Sequence, residues 1–146
     1  MKICKTVLIA LSMISVAFAS QAEIEKKPFA VAEKYQFDNL PVVKGFNNWS
    51  IDGWNVIDPQ SLIVRTSPST AYLLILQRRS LDLRFTEQIA LSSTGSFVHA
   101  KFDTVRALDR HHFAVPISIA KIYQLKGRDQ RKLVKAQILG AGETAL

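Results

Sequence analysis

The residues of this chain that could do chemistry are few and scattered. His99, His111 and His112 are its three histidines. Adjacent residues on a strand point to opposite faces, so His111 and His112 are poorly placed to share one metal ion. No His-x-His or His-Glu-x-x-His spacing occurs, and the donor set of a zinc site is not assembled. Serines are plentiful, but there is no Gly-x-Ser-x-Gly elbow. Ser92, Ser93 and Ser96 fall in a Ser/Thr/Gly turn, where hydroxyls commonly bond the backbone. A Ser-His-Asp set would have to draw on His99 or His112 with Asp103 or Asp109, and no spacing selects it. The carboxylates Asp52, Asp58, Asp82, Glu87, Asp103 and Asp109 are dispersed, without the facing pair that glycoside cleavage needs. Asp58 and Asp109 read better as turn formers. Gly-x-Gly-x-x-Gly and Gly-Lys-Ser/Thr loops are missing too. No catalytic residue, metal site or cofactor is assigned.

Binding chemistry has more to draw on. Phe46, Trp49, Trp54 and Tyr72 either line a groove for glycans or peptides or fill the core, which is the usual work of aromatics in small domains. Trp49 is the exception: it stands among Asn47, Asn48 and Ser50 and is expected to be exposed. Asn48-Trp49-Ser50 also matches the N-glycosylation triplet, a common pattern. Arg78, Arg79 and Arg84 surround residues 80–83. Their guanidinium forks suit an anionic group, whereas a solvated connecting loop is the plainer account. Residues 126–135 hold Lys126, Arg128, Arg131, Lys132 and Lys135 against the single acid Asp129, a local charge of +4. Such a segment attracts anionic lipid head groups or another acidic surface of the envelope; a solvated tail without a partner is the alternative.

The elements that must position these groups are short and β-prone. Trp54-Asn55-Val56-Ile57 and residues 62–66 are two strands joined by the turn Asp58-Pro59-Gln60-Ser61, hence a hairpin. Ser67-Pro68-Ser69 is a further turn. Residues 71–76 are apolar on both alternating faces, which suits a central strand covered on both sides. Ile89-Ala90-Leu91 is a short strand, ended by the turn at 92–96. Residues 97–107 read as one long half-exposed strand, with Val98, Ala100 and Phe102 on one face and His99, Lys101 and Asp103 on the other. Ile117 and Ile119 fit a strand, yet Ile119, Ile122 and Leu125 recur at the three-residue spacing of a helical turn. Short strands separated by Ser, Pro, Gly and Asp turns argue for a mainly β fold, a small antiparallel sandwich or partly open barrel. A short N-terminal arm precedes it and a basic C-terminal tail, helical or mobile, follows it, with residues 141–146 expected to be disordered.

The start of the chain reads as an export signal. Lys2 and Lys5 give a positive end, residues 6–19 are uncharged and mostly apolar, and Ser20-Gln21-Ala22 supplies the small residues of a cleavage site. The apolar run is shorter than the ~20 residues that a membrane span needs. Cleavage after Ala22 would remove Cys4, the single cysteine. That excludes a structural disulfide in the mature chain, and Cys4 is misplaced for a lipoprotein anchor. Lys2 and Lys5 would take two of the seven surplus positive charges with them. The expected organisation is a signal peptide at 1–22, an N-terminal arm at 23–45, a β domain at 46–125 and the basic tail at 126–146. No later segment is long and apolar enough to span a membrane. The protein is expected to be exported, periplasmic or secreted, soluble and not a lipoprotein, so nucleic acid is not an expected partner.

Several elements, taken in order, resemble a family of small exported bacterial proteins classed only as a domain of unknown function. Ile51-Asp52-Gly53-Trp54 is similar to that family's opening Ile-x-x-Trp. Leu62-Ile63-Val64 and Tyr72-Leu73-Leu74-Ile75-Leu76 are similar to its second and third strands. Leu83-Arg84-Phe85 with Ile89-Ala90-Leu91 resembles its Leu-x-x-Ala-x-x-Ile-Gly-Phe segment, and Lys101-Phe102-Asp103-Thr104-Val105 its Arg-Phe-x-x-Val. The resemblance spans about residues 51–125. It implies a cysteine pair in many relatives, whose positions here are Ser80 and a residue within 115–117. It implies no activity. The reading from sequence is thus a non-enzymatic periplasmic binding or envelope-associated protein; a small periplasmic hydrolase acting on a glycan or small molecule is the alternative.

Overall fold

The computed structural model describes residues 31–108 and 114–143, with side chains as far as residue 140. In chain order the strands are β1 (Val42–Val43), β2 (Gly45–Asn47), β3 (Gly53–Asp58), β4 (Ser61–Arg65), β5 (Thr70–Leu76), β6 (Gln88–Leu91), β7 (Phe97–His99), β8 (Thr104–Leu108) and β9 (Ile117–Lys126). The helix α1 (Gly127–Glu143) follows β9 directly. Short 3-10 turns occupy Glu33–Tyr35 and Asp82–Arg84.

One antiparallel sheet runs β3-β4-β5-β9-β8-β6, and β1 also pairs with β9. β2 and β7 form a separate two-stranded sheet. The curved main sheet is a half-barrel, the partly open form expected of a mainly β chain. The β3–β4 hairpin and its Asp58–Ser61 turn form as the sequence indicates. β5 lies between β4 and β9. Its alternate residues divide between two cores: Tyr72, Leu74 and Leu76 pack on one face, and Ala71, Leu73 and Ile75 on the other. That division accounts for its lack of a polar face.

The first core is closed by Phe46 of β2, Val98 of β7 and Val105 of β8. Phe46 stacks on Tyr72, with ring centroids 4.5 Å apart. β2 and β7 approach so closely at Gly45 that a Cβ there would meet the Val98 carbonyl. The second core is closed by Val134 and Ile138 of α1, four residues apart on one helix face, and by Tyr35, Phe37 and Leu40.

Four expectations need correction. First, residues 31–45, the described part of the N-terminal arm, pack on the sheet as part of its core. Tyr35, Phe37 and Leu40 are core residues, Phe37 meets Tyr123 edge-on at 5.4 Å, and strand pairing begins at Val42. Second, residues 97–107 are two strands. Lys101 sits at φ 72°, a left-handed turn that ends β7 and reverses the chain into β8. Phe102 is consequently turned out at 83% exposure, while Asp103 is buried. Third, the three-residue spacing in 119–125 is not helical. Ile75 pairs with Lys121 and Leu76 with Ile119, so β9 carries one extra residue there, a β-bulge. Ile117, Ile119 and Ile122 therefore share the first core, while Tyr123 and Leu125 enter the second. Fourth, residues 141–143, read as disordered, continue α1. The turn at 108–110, His111 and His112 and the leader fall wholly or partly outside the described residues.

The hairpin turn is tied to the N-terminal segment by Asp58. Its carboxylate accepts hydrogen bonds from Tyr35 Oη (2.6 Å), Lys34 Nζ (2.8 Å), Ser61 Oγ (2.7 Å) and the Gln60 amide (2.9 Å). Burial by itself raises the Asp58 pKa; the bonds from Lys34, Tyr35, Ser61 and Gln60 outweigh it and hold the group below its ordinary value. Burial, then the Asp58 contact, push the Tyr35 phenol well above its own. It stays a neutral donor. Asp58→Ala orphans buried donors and is expected to cost about 3 kcal/mol. The folded pKa of Asp58 lies below the unfolded one. The stabilisation is therefore complete above the unfolded value of about 4 and is lost as pH falls through the depressed folded value. Urea midpoints measured between neutral and acid pH should fall more steeply for the wild type than for Asp58→Asn, which has no carboxyl to titrate.

Candidate functional site

The basic segment is a helix because Gly127, at φ 76°, lets the chain leave β9 and turn back. Its amide donates to the Ser69 carbonyl at 2.7 Å, and Gln130 Oε1 accepts from the Lys126 amide at the same distance. With Val134 and Ile138 packed inward, Arg128, Arg131, Lys132 and Lys135 follow one another at helical spacing on a face beside the β3–β4 hairpin. These four cations and Arg65 of β4 line an open groove of about 420 Å³. Asn55 of β3 and Ile63 of β4 complete it; Trp54 borders it, but its side chain packs against the first core on the other face of the sheet. No carboxylate is among its lining residues. Arg65 has a long contact of 3.5 Å to Asp52, both groups about half exposed, a geometry that neutralises little of its charge. Arg131 donates to the Pro68 carbonyl at 3.2 Å, which fixes the helix against the β4–β5 turn.

The other candidates are distributed elsewhere. Lys126 is exposed at the end of β9 and does not line the groove. Trp49 is 80% exposed, as its polar neighbours indicate, but it stands in the turn after β2, apart from the groove. Arg78 and Arg79 line a shallow cleft of about 320 Å³ with Ser80 and Val115, and Asp82 places a negative charge in it. Arg84 is exposed and outside that cleft. Ser80, Val115 and Ile117, the positions that the family resemblance pairs, lie along this one cleft.

The chemistry set aside on sequence grounds meets in one place. Ser92 Oγ donates to Asp103 at 2.6 Å, but the other Asp103 oxygen accepts the His99 backbone amide at 2.7 Å. The His99 ring instead packs on Phe97. Ser92, His99 and Asp103 thus form a turn brace: the imidazole is not the link between hydroxyl and carboxylate that a triad requires. Among the described residues no group of three or more His, Cys, Asp or Glu side chains is gathered to hold a metal.

The family model for DUF6491, a family of unknown function, matches residues 1–141. The chain belongs to the DUF6491 family. No curated protein and no solved structure matches it. Membership brings no site with it, and the groove stands on its own geometry. Sequence reasoning found four of its five cations and missed Arg65, which approaches them only because the β3–β4 hairpin lies alongside α1. The available signal was the spacing of Arg128, Arg131, Lys132 and Lys135 at i, i+3, i+4 and i+7.

Proposed function

We propose that DUF6491 proteins of this kind are exported, non-enzymatic binding proteins, and that this one holds an anionic envelope surface in the groove between β3–β4 and α1. The observation that carries the reading is the convergence of five cations without a lining carboxylate. Helix and hairpin hold these cations at fixed positions, so little ordering is needed on binding. No described helix is long and apolar enough to cross a membrane. The enzyme alternative has less behind it. The acid with a shifted pKa, Asp58, is engaged in the hairpin turn and is not among the groove residues.

Export rests on the leader: Lys2 and Lys5, the uncharged stretch at 6–19, and small residues up to Ala22. Expression of the full chain in a Gram-negative bacterium should yield a periplasmic product beginning at Glu23. A product that retains Cys4 and fractionates with cytoplasm would overturn the export reading without touching the groove.

The groove is tested by sedimentation with vesicles. A chain ending at Leu125 is unsuitable, because it would strip Val134 and Ile138 from the core. Arg128→Gln with Lys132→Gln keeps the helix and removes two charges. At ~1 kcal/mol for each basic residue near an anionic surface, binding to phosphatidylglycerol vesicles at low salt should weaken about thirtyfold. Phosphatidylcholine vesicles should bind neither form. Equal binding of wild type and variant to the anionic vesicles would refute the reading.

A further inference from the structure

A second and larger groove arises where β9 changes partners. β8 pairs with β9 only at Ile117 and Ser118, and β1 joins it at Ile122 and Tyr123. Between these contacts the turn after β7 bridges the edge: the Lys101 amide donates to the Ile119 carbonyl at 2.6 Å, and the Ile119 amide to that of Asp103 at 2.9 Å. The bulged residues Ala120 and Lys121 line an open groove of about 860 Å³ beside this break in the sheet. That volume is in the range of small-molecule sites. Its walls combine two chemistries. Val42 and Val43 of β1, and Ala100 and Phe102 of the turn, supply apolar surface. Val42 is 56% and Phe102 83% exposed, large apolar groups left open to water at one place. Lys44, Lys101 and Lys121 supply three positive charges, and no carboxylate lines the groove.

We infer that this groove binds a single-chain amphiphile with an anionic head, a long-chain carboxylate of the fatty-acid class, whose alkyl chain covers the valines and Phe102 while the lysines hold the head. Neither feature alone selects that ligand. Apolar walls would accept any greasy molecule, and three lysines any anion. Together they ask for a molecule that is apolar along its length and negative at one end. The ammonium groups are compact charges on flexible stems, suited to a head group that needs no fixed fork geometry. The groove shares no lining residue with the basic groove of α1, so the two sites stand or fall separately.

The test is a titration of the purified isotope-labelled chain with decanoate below its micelle concentration, followed by amide NMR. Shifts should concentrate at Val42, Val43, Ala100, Ala120 and Ile122, and spare β3 and α1. Hexanoate, with the same head and a shorter chain, should bind much more weakly. So should decyl maltoside, with the same chain and no charge. Lys44→Gln, Lys101→Asn and Lys121→Gln together should weaken decanoate binding roughly tenfold, as three partly exposed charge contacts allow. Asparagine is chosen at 101 because it tolerates positive φ. Lys121 Nζ also lies 4.8 Å from the Tyr123 ring centroid. Val42→Ser, which leaves all the lysines in place, therefore serves as a second variant and should weaken decanoate as well. Absence of binding, shifts spread over the whole chain, equal response to decyl maltoside, or unchanged affinity in both variants would each overturn the proposal.

Discussion

The bulge in β9 is the constraint on which the rest of the structure depends. A regular strand presents one set of residues to one face throughout its length. β9 must do more, because it borders β5 along one edge and serves β8 and then β1 on the other. The extra residue at Ala120–Lys121 switches the inward face partway along. Ile117, Ile119 and Ile122 thereby fill the core closed by the small β2–β7 sheet, and Tyr123 and Leu125 fill the core closed by α1. Bulges commonly bend a strand and re-aim its side chains. Here the same irregularity leaves an edge that the Lys101 turn must bridge, and the apolar groove lies beside that bridge.

The second core explains how a short chain without a disulfide among its described residues closes around the sheet. α1 contributes two inward residues, Val134 and Ile138, which alone give a helix little purchase. The N-terminal segment adds Tyr35, Phe37 and Leu40. Tyr123 links segment and sheet twice, by its edge-on contact with Phe37 and by a 3.0 Å hydrogen bond from its hydroxyl to the Tyr35 carbonyl. Asp58 then ties the Tyr35 phenol to the hairpin turn at the far edge of the sheet. Helix, segment and hairpin are thus positioned together, and the basic groove is the seam between helix and hairpin.

Much of this was legible in the sequence, and the exceptions have a common cause. Turn chemistry marked the hairpin at Asp58-Pro59-Gln60-Ser61, and the two-faced apolar run at 71–76 identified the central strand. Both signals are local. The misread segments were those in which a distant partner decides the outcome. Phe102 alternates correctly with Val98 and Ala100, but Asp103 is held inward by Ser92 and the His99 amide, which breaks the alternation. Ile119 and Ile122 stand three apart because a bulge inserts one residue into a period of two, and Leu125 continues the apparent helical period only because it faces the other core. Tyr35, Phe37 and Leu40 look sparse beside Pro41, and only the exposed back of the sheet makes them core. Arg65 belongs to the basic groove for the same kind of reason.

Charge placement narrows how the molecule can use its surface. The whole chain carries a formal surplus of +7, and residues 126–135 account for +4 of it. Lys126 is not part of either groove, whereas Arg65, Lys44, Lys101 and Lys121 lie outside that segment and are. The two grooves together are lined by eight Lys and Arg residues and by no carboxylate. Eight exceeds the surplus of the entire chain, so the remaining residues sum to a slight negative charge. The high isoelectric point is therefore a property of two concave places rather than of a uniformly basic surface. A uniformly basic protein attracts any polyanion at long range. A protein whose surplus is gathered in grooves, the larger of them beside the exposed Val42 and Phe102, favours there an anion that also brings apolar surface.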